Sequence, residues 1–354
     1  MANAEKLALE LAMRLPDRVQ RLLAGRPVVV DGLTLATDLQ LQLRLKRLVH
    51  PRSAETRPMA EGRRAIALDT FLVGGNLPVG GVRDLVAGGR PARLYVPTGA
   101  PDTGPLLVFL HGGGFMHGDL ETHDAPCRFL AEHAGVRVLA VDYRLGPEHR
   151  FPAAYDDALA AYAWAVEHAA ELGADPDRIG VGGDSAGGNL SAGVAFEAAR
   201  RGWPCRVQLL IYPATDARRA TRSAELFATG FYLTSAYMDL ANRSYATSDA
   251  DLDDPRYSPA YAEVPDGLAP ALVFTAGFDP LRDEGEAFAS RLAEAGVRVE
   301  ATRFPDQIHG FLNIVGVGHS SRAANRRIAE ALRAALAGPA LGPTLGSGRE
   351  VTDG

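Results

Sequence analysis

The sequence predicts an α/β fold, a mostly parallel sheet with helices on both faces. Three observations predict it. From about residue 106 to residue 336, short apolar runs alternate with longer helical patterns. Such alternation builds βαβ units, whose crossovers set neighbouring strands parallel. The apolar runs are continuous, as in Leu106-Leu107-Val108-Phe109-Leu110, which suits a strand covered on both faces. Finally, Gly183-Asp184-Ser185-Ala186-Gly187 joins one such run to an alanine-rich helical pattern, with glycine where a side chain would collide with neighbouring backbone.

Composition bounds the answer. A chain of 354 residues holds one large α/β domain with an insertion, or two small domains. With 47% hydrophobic and 23% charged residues it can bury a sizeable core. A net charge of -6 lacks the basic footprint of a nucleic-acid partner. Cys127 and Cys205 match no zinc spacing; they read as reduced, buried small hydrophobes, with a disulfide as the open alternative. Glu5, Lys6, Glu10 and Arg14 interrupt the N-terminal leucines, so no apolar signal segment forms. No run of 18 apolar residues exists, so no transmembrane helix and no stable membrane insertion are expected. A cytoplasmic location is the expectation, with surface contact by an amphipathic N-terminus left open.

Taken in order, residues 4–24 carry leucines near helical spacing, split into two short helices at Pro16-Asp17. Residues 33–49 fit both alternation and helical spacing. Good helix formers and the lack of β-branched residues from Leu39 to Leu48 favour a helix. That helix packs on the core or over a site mouth, with membrane docking as the other reading. Residues 50–62 read as a linker, and 82–87 and 92–96 as an antiparallel pair around Gly88-Gly89. A loop over 97–105 precedes the buried strand 106–110. Strands are then expected over 136–141, 179–181, 207–212, 271–276 and 298–303. Helices are expected over 153–172, 186–201, 283–295 and 322–336. Residues 213–268, rich in Tyr, Phe, Asp and Pro, fit no βα unit and read as an insertion over the site; the last residues read as a frayed tail.

The strand–turn–helix around Ser185 is the context of a nucleophile elbow, although a serine N-cap would also fit the five residues alone. Three further pieces decide between these. His111-Gly112-Gly113-Gly114-Phe115 follows a buried strand. Consecutive glycines let backbone N–H groups approach an oxyanion closely, and the N–H after the nucleophile, on Ala186, supplies another donor. His111 itself reads as an orienting residue. Asp279 lies in a loop after the strand 271–276, where open α/β sheets bind ligands. Asp283 and Glu284 stand at a helix start, where capping and the helix dipole explain them. His309 follows the last strand and can swing onto Ser185, whereas His319 reads as a solvated surface residue. The order Ser185, Asp279, His309 is that of a hydrolase triad.

With these residues in place the chain resembles the hormone-sensitive-lipase family of α/β-hydrolase esterases, in its GDSAG branch. The match rests on His111-Gly112-Gly113-Gly114 and Gly183-Asp184-Ser185-Ala186-Gly187-Gly188. It is supported by Asp142-Tyr143-Arg144-Leu145-Gly146-Pro147-Glu148, by Asp279-Pro280-Leu281-Arg282-Asp283-Glu284-Gly285 and by His309-Gly310-Phe311. Gly146 stands where the family usually has alanine, and Asp306 where glycine is common. The resemblance runs from about Leu94 to Leu336 and implies an α/β-hydrolase fold with an eight-stranded sheet and a helical cap. The implied division is cap helices over 1–75, core over 76–212, cap insertion over 213–268, core over 269–338 and a tail over 339–354. It implies Ser185 as nucleophile, His309 as base, Asp279 as its acid, and the N–H groups of Gly112, Gly113 and Ala186 as the oxyanion hole. Asp184 and Glu148 are expected to be structural acids, buried against backbone or Arg144. Phe227, Phe231, Tyr232 and Tyr237 read equally as acyl-pocket lining and as cap packing.

The resemblance therefore implies a serine carboxylesterase acting on a small-molecule ester of short to medium acyl chain. It implies no cofactor and no metal, and a homodimer. An amidase, a formamidase or a lipase would use the same triad. A nucleotide-binding turn fails because the third glycine and a Walker lysine are missing. A non-catalytic ligand-binding homologue would lack His309, which is present.

Overall fold

The computed structural model describes residues 2–50 and 52–337. The elements run α1 (Ala2–Met13), α2 (Asp17–Ala24), β1 (Val29–Val30), β2 (Leu33–Thr34), α3 (Thr37–Val49) and α4 (Met59–Gly74). Next come β3 (Gly81–Ala87), β4 (Arg90–Val96), β5 (Gly104–Leu110), α5 (Asp124–Ala134), β6 (Arg137–Val141) and α6 (Ala153–Glu167). Then follow β7 (Ala174–Asp184), α7 (Ala186–Arg201), β8 (Gln208–Ile211), α8 (Arg222–Leu226) and α9 (Ser235–Tyr245). The chain closes with β9 (Ala271–Phe278), α10 (Arg282–Glu294), β10 (Val299–Ile308) and α11 (Ser320–Ala337). The expected tail at 339–354 lies outside the described residues.

Eight strands form one sheet in the order β10-β9-β8-β7-β5-β6-β4-β3. β4 is antiparallel to both β3 and β6, and the remaining pairings are parallel. Strand period two explains the continuous runs. Leu106, Val108 and Leu110 join the core that holds Leu190 and Phe288, on the side of α6, α7 and α10. Leu107 and Phe109 point into the opposite core with Leu130, Ile328 and Leu332, under α5 and α11. Fully burying one such side chain stabilises by roughly 1.5–3 kcal/mol, so both faces select apolar residues.

Within residues 33–49 a helix forms as α3 from Thr37, whereas Leu33-Thr34 pair as strand β2, and the alternation has a reason. Leu39, Leu41 and Leu43 are all buried because α3 is enclosed on more than one side. Asp38 ties α3 to the sheet domain, accepting from the N–H groups of His319 (2.8 Å) and Ser320 (2.9 Å) at the start of α11. Burial opposes ionisation of Asp38, but the Ser320 and His319 N–H groups and the Ser320 hydroxyl outweigh it and lower its pKa.

Several boundaries differ from the sequence reading. The linker expected to reach Gly62 gives way to α4 at Met59. α6 ends at Glu167 rather than continuing to Leu172, because the Glu171, Leu172 and Gly173 N–H groups close turns on His168 and Ala170. α5 has no counterpart in that reading; Pro126 sits in its first turn, where proline is tolerated but hides the pattern. Among the described residues no helix is long and apolar enough to cross a membrane.

Candidate active site

β7 delivers Ser185 and α7 carries it away. Gly183 and Gly187 are forced by proximity, since a Cβ on either would collide with the Leu110 carbonyl of β5. Ser185 itself has φ 55° and ψ -117°, a strained backbone for a residue with a side chain. Its N–H donates to the Ile211 carbonyl (2.9 Å) and its carbonyl accepts from Ala214 (3.2 Å), fixing the turn against β8.

Asp279 leaves the end of β9 and His309 the end of β10. His309 Nε2 lies 3.0 Å from Ser185 Oγ, and His309 Nδ1 lies 2.8 Å from Asp279 Oδ2. Asp279 is fully buried, and its other oxygen accepts from the Leu281 N–H at 2.8 Å. The Tyr212 ring packs 4.6 Å from the imidazole. The structure thus brings together the three side chains that the sequence singled out. Asp283 instead accepts from the Ser223 N–H (2.8 Å) and Arg282 Nε (2.8 Å). His319 is 69% exposed and turned to Asp38.

The glycine loop needs one correction. Gly112, expected as an oxyanion donor, donates its N–H to Asp184 Oδ1 at 2.8 Å and is not open to a ligand. Asp184 is buried with His123 Nε2 3.3 Å away. Burial opposes its ionisation, yet the charge and hydrogen bond of His123, the Gly112 N–H and His111 together hold its pKa below the usual value. Gly113, at φ +125°, and Gly114, at φ +61°, turn the loop into the cleft. Among the described residues, the N–H groups of Gly113, Gly114 and Ala186 donate to no protein group. The Tyr237 hydroxyl donates to the Gly113 carbonyl (3.2 Å) and contacts His117 Nδ1 (2.8 Å). The His111 ring stacks on Tyr143 at 4.2 Å, its Nδ1 lies 2.8 Å from the Gly112 carbonyl oxygen, and burial pushes its pKa down to about 4.

Two other acids behave differently from the sequence reading. Glu148 is half exposed and pairs with Arg63 (2.7 Å), while Arg144 holds Asp157 (2.7 Å). Glu284 does not cap its own helix. It is buried, accepts from the Thr215 (2.7 Å) and Asp216 (3.2 Å) N–H groups, and lines the cleft. Burial pushes it up to about 8, against those two N–H groups. The sequence signal for Glu284 was its place beside Asp279, masked by its equally good fit to a helix start.

The four aromatics divide. Tyr232 and Tyr237 line the cleft, whereas Phe227 and Phe231 pack with Phe278. The cleft measures about 290 Å³ and is walled by α3, α4, α9 and the glycine loop. Both cysteines are free, so the disulfide alternative falls away.

Comparison with known proteins agrees with this fold. Residues 107–313 match the model of the alpha/beta hydrolase fold family. The chain is 47% identical over 91% of its length, and 89% of the relative's, to carboxylic ester hydrolase LipN of Mycobacterium tuberculosis. It is 41% identical to an ethyl acetate hydrolase of Pseudomonas putida, over 69% of this chain and 78% of that one. Among solved structures, an ester hydrolase from the metagenome of Lake Arreo superposes with a TM-score of 0.81 at 38% identity, covering 86% of this chain and 100% of that chain. The hyperthermophilic esterase of Pyrobaculum calidifontis gives 0.80 at 38% identity, over 85% and 98%. The chain belongs to the alpha/beta hydrolase fold family and is a carboxylic ester hydrolase.

Proposed function

We propose that this enzyme hydrolyses short- to medium-chain acyl esters through Ser185, His309 and Asp279, as a member of the GDSAG branch of hormone-sensitive-lipase-like esterases. The reading rests above all on the line from Ser185 Oγ to His309 (3.0 Å) to the buried Asp279 (2.8 Å). Serine is a weak nucleophile at its own pKa and needs an adjacent base. Ser185 Oγ attacks the ester carbonyl carbon as its proton passes to His309 Nε2. Asp279 holds the Nδ1–H tautomer and stabilises the imidazolium. The N–H groups of Gly113, Gly114 and Ala186 stabilise the oxyanion, Gly114 taking the role expected of Gly112.

The intermediate collapses, the ester C–O bond breaks, and the alcohol leaves with the proton from His309. Water then attacks the acyl-enzyme, His309 takes its proton, and release of the acid returns that proton to Ser185. The N-terminal helices and residues 213–268 act as one cap over this chemistry. The volume of the cleft, about 290 Å³, supports short to medium chains. A cytoplasmic homodimer completes the reading.

Hydrolysis of p-nitrophenyl acyl esters from acetate to palmitate, with Ser185→Ala beside the parent, tests it. The expected outcome is fast turnover of short chains, lowered about a million-fold in kcat by the substitution. Activity rising towards palmitate would indicate a lipase. Ester turnover that survives Ser185→Ala would remove Ser185 from the mechanism.

A further inference from the structure

A second cavity of about 270 Å³ lies beside the cleft, walled by Leu9, Leu45, Val49, Leu72, Val73 and Ile314. It reaches the catalytic end of β10, since Ile308, His309 and Gly310 also line it. Tyr232, Lys46 and Asp69 are among the residues that line both spaces, at their junction. Tyr232 is held there. Its backbone takes φ +80°, a conformation a tyrosine rarely adopts. The ring lies on Gly310, where an added Cβ would come within 3.2 Å of it. The Lys46 ammonium sits 4.5 Å over the same ring and is paired with Asp69. A mostly apolar space that adjoins the site past one aromatic ring and an ion pair is a chain-sized receptacle.

The side of the ester this space serves follows from its walls. None of Gly113, Gly114 or Ala186, whose N–H groups face the acyl carbonyl in the mechanism proposed above, borders it, whereas His309 does. His309 is the group that protonates the departing oxygen, so the alcohol departs beside it. Resting on the triad proposed above, we infer that the second chamber is an apolar subsite for the alcohol chain of the ester, and that Tyr232, braced by Lys46 and Asp69, sets how long that chain can be.

Two substrate series on Tyr232→Ala test this, one of alkyl acetates from ethyl to decyl and one of p-nitrophenyl esters from acetate to decanoate. Each is scored as the ratio of kcat/KM for the longest to the shortest member, so a general loss of activity cancels. Ser185-dependent turnover of p-nitrophenyl acetate by the parent protein tests the triad separately. The expected result is a rise of about tenfold or more in the alkyl acetate ratio, since each methylene gaining an apolar wall is worth roughly that much. The acyl ratio should stay within about twofold of the parent's. Ala12 borders the second chamber but not the cleft. Adding Ala12→Trp to Tyr232→Ala should therefore fill the chamber and abolish the gain. An unchanged alkyl acetate ratio, a rise in the acyl series instead, or a gain that survives Ala12→Trp would each overturn the assignment.

Discussion

Asp184 Oδ1 accepts the Gly112 N–H at 2.8 Å, so the residue before the serine holds the glycine loop in place. The two motifs that flank the cleft are one hydrogen-bonded unit rather than two neighbours. Asp184→Ala strands both the Gly112 N–H and His123 in a buried place, and should cost about 2–4 kcal/mol in denaturant unfolding as well as most of the activity. Asp184→Asn keeps an acceptor but loses the charge beside His123, and should sit between the two. The native pKa of Asp184 is lowered from 3.8. Its contribution is therefore fully present above that value and lost as pH falls through the lower native one, so the parent's advantage over Asp184→Asn should fade below about pH 4.

Asp279 Oδ2 meets His309 Nδ1 in a 2.8 Å contact made without solvent, and the proposed mechanism has it fix the imidazole tautomer. Asp279→Asn preserves shape but presents a donor to Nδ1, which forces the imidazole to the wrong tautomer. A fall of about 10⁴ in kcat with little change in KM is expected from steady-state kinetics on p-nitrophenyl acetate.

Glu284 is raised to about 8 by burial. Between its ordinary value of 4.5 and about 8 the unfolded chain releases this proton and the native state keeps it, so the group makes stability fall as pH rises through that window. Glu284→Gln retains a carbonyl for the Thr215 and Asp216 N–H groups and cannot ionise. Relative to the parent it should gain on the order of 1–3 kcal/mol between pH 5 and pH 8. Melting curves of both proteins across that range decide it; parallel curves would mean that Glu284 is ionised throughout.

Arg63 on α4 binds the Met116 (2.9 Å) and Gly146 (2.9 Å) carbonyls as well as Glu148, and so braces the glycine loop from outside. Glu148 is 53% exposed, so water screens the pair. Glu148→Ala should change stability by less than about 1 kcal/mol. Arg63→Ala should cost about 1.5–3 kcal/mol, because two carbonyls lose their donor with the charge. Equal effects in denaturant titrations would locate the brace in the ion pair instead.

The pattern along the chain was enough to read the sheet domain. Period two across Leu106 to Leu110, the glycines that flank Ser185 in its turn, and the loop positions of Asp279 and His309 are local properties, set by side-chain spacing within one element or at its end. The sequence by itself therefore determined the α/β architecture and the three side chains that meet. What only the tertiary structure decided are pairings made across distance in the chain: Asp184 with Gly112 over 72 residues, Glu148 with Arg63 over 85, and Glu284 with Thr215 over 69. A glycine N–H or a glutamate looks the same in sequence whether it faces a substrate, a carboxylate or solvent. Burial and partner choice depend on which surfaces pack together, and for the second chamber behind Tyr232 those surfaces come from α1, α3, α4 and the end of β10.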